Sequence, residues 1–420
     1  MSAPAATAPG KLPLVVWVLA VGTFLMGTTE FVVAGILPDI APDLGASVSH
    51  AGLLITAFAV GMIIGGPAMV LATLRLPQRL TLVLALLVFA AGHVVAALTS
   101  SFTVVLAARF VTALATGAFW AVGFVIATTT TGPANATRAV GVMMGGLTLA
   151  NVMGVPAGSL VGHLAGWRGL FWALAALAAL AATVIGRFIP RTEQRAQASV
   201  RDEIRALHQG RLWLALASAV LIMGGVLAVY TYITPLLTDR AGIPDSAVPV
   251  VLIAFGAGAL GGTAIGGRFG DHRPMATTIP AAAATALILL ALIPLSTTPL
   301  AAITLIFLMA LAGFTINPVV TALAVRIAGD APTLTSALTT SAYNTGIAAG
   351  SALAGQALAS PLGVTGPALV GAVFAGLTLL PLIILAVTAR RGTARIVAQS
   401  TPEAPAPEPR ETAEAASSRS

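Results

Sequence analysis

Apolar residues run along this chain in long stretches, separated by short polar or basic breaks. A helix that crosses a bilayer needs about 20 such residues. Twelve runs of that length occur, near 13–37, 50–73, 79–98, 101–128, 136–163, 168–190, 212–236, 246–267, 275–295, 298–325, 333–358 and 365–389. They predict twelve spanning helices. Several connections are so short that the neighbouring spans must be antiparallel.

The two halves of this pattern match each other. Ala57-Phe58, Gly61 and Gly65 in span 2 recur as Ala254-Phe255, Gly258 and Gly262 in span 8, an offset of 197 residues. At the same offset Pro38 meets Pro235 and Gly45 meets Gly242. Ala157-Gly158-Ser159 in span 5 parallels Ala349-Gly350-Ser351 in span 11 at a slightly different offset. A six-plus-six parallel repeat predicts an all-α membrane protein of two pseudo-symmetric six-helix bundles, with a site between them near the midplane. The expected organisation is a first bundle over 1–190, a linker over 191–211, a second bundle over 212–390 and a disordered tail over 391–420. Within the linker, Val200, Ile204 and Leu207 share one helical face, which fits either a short interfacial helix or a solvated linker.

Composition agrees. The 420 residues are 57% hydrophobic and 8% charged, with mean hydropathy +0.97, against about 25% charged residues in a soluble protein. Forty-three glycines suit close packing of membrane helices. The first apolar run is too long for a signal-peptide core and reads as an uncleaved span.

Basic residues set the orientation. With a cytoplasmic N-terminus, 18 of the 21 lysines and arginines fall in inner segments, including Lys11, Arg75, Arg79, Arg138, Arg187, Arg211, Arg268, Arg273 and Arg326. Arg168 and Arg240 fall outside, and Arg109 lies within span 4. The net charge of +7 is spread between spans, which argues against a nucleic-acid surface. No cysteine is present, so disulfides, thiolate metal sites and a thiol nucleophile are excluded. No phosphate-binding Gly-x-x-x-x-Gly-Lys-Ser/Thr loop occurs. No metal cluster or nucleophile–base pair lies at membrane depth, so neither an enzyme nor a bound cofactor is expected.

Of fourteen acidic residues, Glu30 in GTTEF is the one left in hydrocarbon. An ionised carboxylate at a span's centre costs roughly 3 kcal/mol on insertion scales, and such residues default to function. Other polar side chains at mid-depth are Asn151, Asn317 and Asn344, with Tyr230, Tyr232 and Tyr343. Thr112, Thr116 and Trp120 follow Arg109 at helical spacing, and Met26 lies one turn before Glu30. A drug cavity combines a few polar groups with an apolar, aromatic and adaptable wall. Taken singly, each of these residues reads first as a helix-packing or interhelical hydrogen-bonding residue; as a group they outline a cavity. His93 and His163, near outer helix ends, read as interfacial.

Several motifs resemble the major facilitator superfamily over residues 11–390, and within it the twelve-span drug:proton antiporters. GGRFGDHR, with Gly267, Asp271 and Arg273, resembles the family's gating motif with altered spacing; its first-half counterpart ATLRLPQRL keeps Arg75 and Arg79 but lacks the aspartate. LAARFVTALATGAF resembles the span 4 motif, with Arg109 followed eight residues later by Gly117. GLTLANVMGVPAGSLVGHLAGWR, centred on Gly154, Pro156 and Gly158, resembles the antiporter signature, where Pro156 would bend span 5 and admit a close neighbour. GTTEF, LPDIAPDLG, NVMGVPAG and GWR are most similar to chloramphenicol exporters and sugar-efflux-type proteins.

The resemblance implies that helices 1 and 4 stand side by side. Glu30 precedes Pro38 by 8 residues and Arg109 follows Ser101 by 8, so at about 1.5 Å per residue both lie some 12 Å below the same surface. Glu30 and Arg109 are therefore expected to face each other, directly or through a short polar relay, either as the proton-coupling site or as a static ion pair. Expected partners are a small amphiphilic molecule, protons and the lipid bilayer, not nucleic acid, and a monomer is expected. The expected activity is proton-coupled export of a drug, chloramphenicol or a related antibiotic first, across a bacterial cytoplasmic membrane. Efflux of a sugar or metabolite, or a sensor or channel of the same fold, are the competing readings.

Overall fold

A computed structural model describes residues 12–73, 76–131, 135–188, 209–270, 272–328 and 332–400. Arg75, Asp271, most of the expected linker and the tail beyond 400 lie outside these. The described residues form twelve long helices. They are α1 (Leu14–Gly35), α2 (Leu53–Thr73), α3 (Gln78–Leu98), α4 (Phe102–Thr131), α5 (136–165), α6 (167–188), α7 (Gly210–Thr231), α8 (Val248–Gly270), α9 (Pro274–Leu295), α10 (Pro299–Ala328), α11 (Pro332–Ala359) and α12 (Gly366–Ser400). Each matches one apolar run of the sequence, but α12 continues past its run, so residues 391–400, expected to belong to the disordered tail, are helical.

Three local features depart from simple spans. α5 and α6 are one helical run interrupted at Gly166, whose φ of 74° belongs to the left-handed region that glycine enters without steric cost. α8 continues through Gly270, so Gly267 and Arg268 sit on its last turns rather than in a loop. Ten stretches of the described residues are long and apolar enough to cross a membrane, and one of them, Arg138–Arg187, holds two spans. α11 is not among the ten, because threonines, serines, Tyr343 and Asn344 lower its hydropathy.

The sequence repeat is also a packing repeat. α2 packs on α4 and α8 on α10, and small residues let the backbones meet. A Cβ on Gly61 would lie 2.6 Å from the Ala113 Cβ and 2.7 Å from the Phe110 carbonyl oxygen; one on Gly258 would lie 3.1 Å from the Ala310 Cβ and 2.5 Å from the Phe307 carbonyl oxygen. Both partner pairs are separated by the same 197 residues as the glycines. Gly45 and Gly242 turn the chain with φ of 61° and 67°.

Contacts between the halves run through α2 with α11 and α5 with α8. Their hydrogen bonds concentrate at the end of the bundle opposite Leu14, termed here the far end. Tyr232 Oη lies 3.2 Å from both the Ser49 and Ser351 carbonyl oxygens, Thr56 bonds Ser351 at 2.8 Å, and Thr234 donates to the Ala34 carbonyl at 3.1 Å. The far end is thus closed across the two halves.

Each far-end corner is stapled by a charge. In the first half Asp43 accepts from Trp167 Nε1 at 2.9 Å and from Arg168, which also reaches the Thr99 carbonyl. In the second half Arg240, 197 residues after Asp43, donates to Ser296 Oγ at 2.8 Å and to the Ile293 carbonyl at 2.6 Å. Hydrogen bonds from Trp167 and Arg168 hold the Asp43 carboxyl below the usual carboxylate value. Burial pushes Asp39 up, opposed by His163 at 3.4 Å.

Candidate functional site

Thr28, Thr29 and Glu30 leave α1 in three directions, because successive helical residues turn by about 100°. Thr28 donates to the Phe24 carbonyl at 2.8 Å on the side facing Gly154 of α5. Thr29 faces α3 and α4, where Arg109 Nη1 lies 3.1 Å and His93 Nε2 2.7 Å from its hydroxyl oxygen. Glu30 faces the second half. It lines a pocket with Phe31 of α1, Ile55, Phe58 and Ala59 of α2, Leu227 and Tyr230 of α7, and Asn344 and Ile347 of α11.

Glu30 and Arg109 are both buried, at 8% and 2% exposure, yet they form no ion pair. Among the described residues, ion pairs within 4 Å join His163 to Asp39 and Arg168 to Asp43, both at the far end. Glu30 Oε2 and Arg109 Nε and Nη2 have no hydrogen-bond partner. The guanidinium instead lies over the Phe58 ring, 4.3 Å from its centroid, a favourable cation–π position. Phe58 therefore belongs to both places: it lines the pocket with Glu30 and stacks on Arg109.

His93 is a correction. It is 2% exposed rather than interfacial, with Nδ1 2.8 Å from the Phe89 carbonyl and its ring between Phe89 and Phe171. Its isolation along the sequence hid partners that come from α1 and α6.

Other candidates divide between the pocket and the helix contacts. Tyr230 lines the pocket, donates to the Phe31 carbonyl at 3.3 Å and stacks on Phe255 at 4.3 Å. Asn344 lines it too, with Nδ2 on the Thr340 carbonyl at 3.0 Å and Oδ1 unpartnered. Met26 is fully buried away from the pocket. Thr112 and Thr116 satisfy their hydroxyls on their own helix at 2.9 Å, and the Thr112 methyl packs against Gly92 of α3. Trp120 packs with Phe58, Met62 and Ala113.

Deeper in the second half, Asn317 Nδ2 meets Met223 Sδ at 3.3 Å, and Tyr343 Oη donates to the Asn317 carbonyl at 2.8 Å. Those two residues form a cluster apart from the pocket lining. The lining residues that sequence reasoning missed (Phe31, Ile55, Phe58, Ala59, Leu227 and Ile347) are apolar or aromatic, and in a membrane helix such residues carry no signal of their own.

Asn151 sits in a π-helical turn, Ala150–Gly154, just before Pro156. Proline has no N–H to donate back along the helix, and a π-turn accommodates the break. That turn presses on α8, where a Cβ on Gly256 would lie 2.6 Å from the Asn151 carbonyl oxygen. Gly154 and Gly158 meet Thr28, Phe24 and Val32 of α1. Arg79 is half-buried, while Gly267 and Arg273 are exposed.

A pocket between two repeated six-helix halves is a transporter arrangement. The family model described as Major Facilitator Superfamily matches residues 19–355. The chain belongs to the major facilitator superfamily. This superfamily member is 37% identical over 363 residues to the chloramphenicol resistance protein of Streptomyces lividans, covering 85% of this chain and 92% of that one. It is 32% identical over 362 residues to the inner membrane transport protein YdhP of Escherichia coli strain K12, covering 86% and 93%. It is 27% identical over 382 residues to a probable sugar efflux transporter of Mannheimia succiniciproducens, covering 91% and 96%. In fold it is similar to the crystal structure of a bacterial homolog to the human lysosomal transporter Spinster, in an inward-facing and unoccupied conformation, with TM-score 0.68 at 18% identity over 94% of this chain and all of that one. The protein is a multi-pass membrane transporter of this superfamily.

Proposed function

We propose that this transporter exports a small amphiphilic compound, a phenicol antibiotic first, in exchange for protons bound at Glu30. The observation that carries this reading is a buried carboxyl on the pocket between the halves, with one oxygen unpartnered and no cation paired to it. A carboxyl so placed can exchange a proton with water whenever the pocket opens to one side or the other. Drug and proton then compete for one site, which couples their opposed movements. The arginine-rich end faces the cytoplasm, so the closed far end is the outer gate, and the two six-helix halves rock about the pocket as a monomer in the bacterial cytoplasmic membrane.

The pocket wall supports an amphiphile over a sugar. Aromatic and aliphatic side chains dominate it, with Glu30, Asn344 and Tyr230 as its polar groups. The 37% identical relative is named for chloramphenicol resistance. A relative named for sugar efflux keeps a sugar or metabolite as the second reading. In a host lacking its own efflux pumps, the intact chain is expected to confer phenicol resistance and Glu30→Gln to lose it at unchanged membrane abundance. Uphill, uncoupler-sensitive export by Glu30→Gln would sink the coupling, and resistance to no phenicol would sink the substrate.

A further inference from the structure

The Arg109 guanidinium, buried beside Glu30, is engaged elsewhere. The Phe89 carbonyl only accepts, so His93 Nδ1 carries a proton and donates to it over 2.8 Å. In the neutral ring Nε2 is then an acceptor, and the Thr29 hydroxyl 2.7 Å away donates to it. Arg109 Nη1 donates to the same Thr29 oxygen over 3.1 Å. All three hydrogen bonds therefore point one way, from Arg109 through Thr29 and His93 to Phe89. Each member satisfies the next, so the chain stabilises the guanidinium where it is.

We propose that Thr29 and His93 are positioning residues that hold the Arg109 guanidinium off Glu30 while Glu30 carries the proton, and release it to the carboxylate when the proton leaves. The proposal rests on the reading of Glu30 as the proton-binding carboxyl. Three unpartnered groups mark the second position of the switch: Glu30 Oε2 as acceptor, and Arg109 Nε and Nη2 as donors. Thr29 and Glu30 are chain neighbours, so the two positions of the guanidinium are anchored on adjacent residues of α1. The proton moves between Glu30 and water on the open side, and Thr29 and His93 neither gain nor lose one.

The surrounding charges fit a single titrating carboxyl. Among the described residues, Glu30 shares its pocket with one other titratable group, Tyr230 from α7, while α2 presents Phe58 and α11 presents Asn344 and Ile347; His93 from α3 and Arg109 from α4 meet at the neighbouring Thr29. A protonated His93 would place two cations on one Thr29 oxygen, so the imidazole acts as a neutral acceptor. The chain also exists in one half only. At the 197-residue offset Thr29, Glu30, His93 and Arg109 correspond to Val226, Leu227, Leu290 and Ile306. The polar device and the carboxyl are thus confined together to the first half.

The test is infrared titration of the full-length protein in lipid nanodiscs, following the protonated-carboxyl band that Glu30→Gln removes. Thr29→Val deletes the hydroxyl at nearly constant volume. It is expected to move the midpoint of that band about one pH unit lower, a tenfold change in proton affinity, because the protonated state loses its hold on Arg109. His93→Phe is expected to shift it the same way by less, and Thr29→Ser to restore the wild-type midpoint. A purely structural role would alter thermal stability and leave the midpoint in place. An unmoved midpoint in folded Thr29→Val overturns the proposal; should that variant fail to fold, an unmoved midpoint in His93→Phe does so equally. If Glu30→Gln removes no titrating band, the proton-binding reading of Glu30 fails first, and the chain's role falls with it.

Discussion

Arg109 donates to the hydroxyl of Thr29 at 3.1 Å and makes no ion pair with the adjacent Glu30. One side chain thus bonds α1, crosses to the α3 histidine through Thr29, and stacks on Phe58 of α2. A planar guanidinium can present its face to a ring and an edge to a hydroxyl together, and a lysine ammonium cannot. Under the proposed function, Arg109→Lys is accordingly expected to keep the charge and the fold but to slow the proposed uncoupler-sensitive phenicol efflux from loaded cells at least about tenfold, equivalent to roughly 1.4 kcal/mol. Wild-type rates in that variant would show that charge alone suffices.

The paired helix contacts give a stability prediction. Gly258 of α8 leaves no room for a side chain, since its Cβ would sit 2.5 Å from the Phe307 carbonyl oxygen, whereas nothing lies within 4 Å of a Cβ on Gly267. Gly258→Val is expected to lower stability by about 1–3 kcal/mol through overpacking. Gly267→Ala is expected to be neutral or slightly stabilising. Thermal unfolding of the purified protein in detergent separates the two.

Closure of the far end depends on Tyr232, whose hydroxyl lies between the Ser49 and Ser351 carbonyls. Removing one net hydrogen bond of roughly 1 kcal/mol with Tyr232→Phe is expected to raise the open fraction about fivefold. Because the chain contains no cysteine, spin labels at Ala46→Cys and Leu362→Cys report this without background. The distance distribution should gain weight at longer separations.

The Asp43 staple predicts a pH dependence with a definite sign. Bonds from Trp167 and Arg168 lower its folded-state value. The stability they add is therefore fully present above the ordinary carboxylate value of 3.8 and is lost as pH falls through the lowered one. Asp43→Asn is expected to reduce the thermal midpoint at neutral pH, with the difference from wild type vanishing in acid. A difference that persists or grows in acid would contradict the staple.

Much of this architecture was legible along the chain. Twelve apolar runs became twelve helices because a bilayer-crossing segment must satisfy its own backbone hydrogen bonds, whatever its neighbours do. The 197-residue repeat placed Gly61 and Gly258 in equivalent contacts because a glycine that lets two backbones meet is a local requirement. Glu30 stood out by itself, as the acid left in hydrocarbon. The π-turn before Pro156 and the break at Gly166 were less visible, since the apolar pattern continues across both.

What sequence could not decide was which way neighbouring side chains turn. Thr28, Thr29 and Glu30 are consecutive, and matched depth put Arg109 level with all three. Only the packing of α1 against α3, α4 and α5 sends Thr29 to the arginine and Glu30 to the pocket. His93 shows the same limit: its partners come from helices far apart in the chain, so burial and hydrogen bonding had no local signal. The sequence by itself determined the number of spans, the repeat and the lone carboxyl, because hydropathy and glycine contacts act locally. The tertiary structure decided the partner of Arg109 and the lining of the pocket, because those depend on how helices rotate against one another.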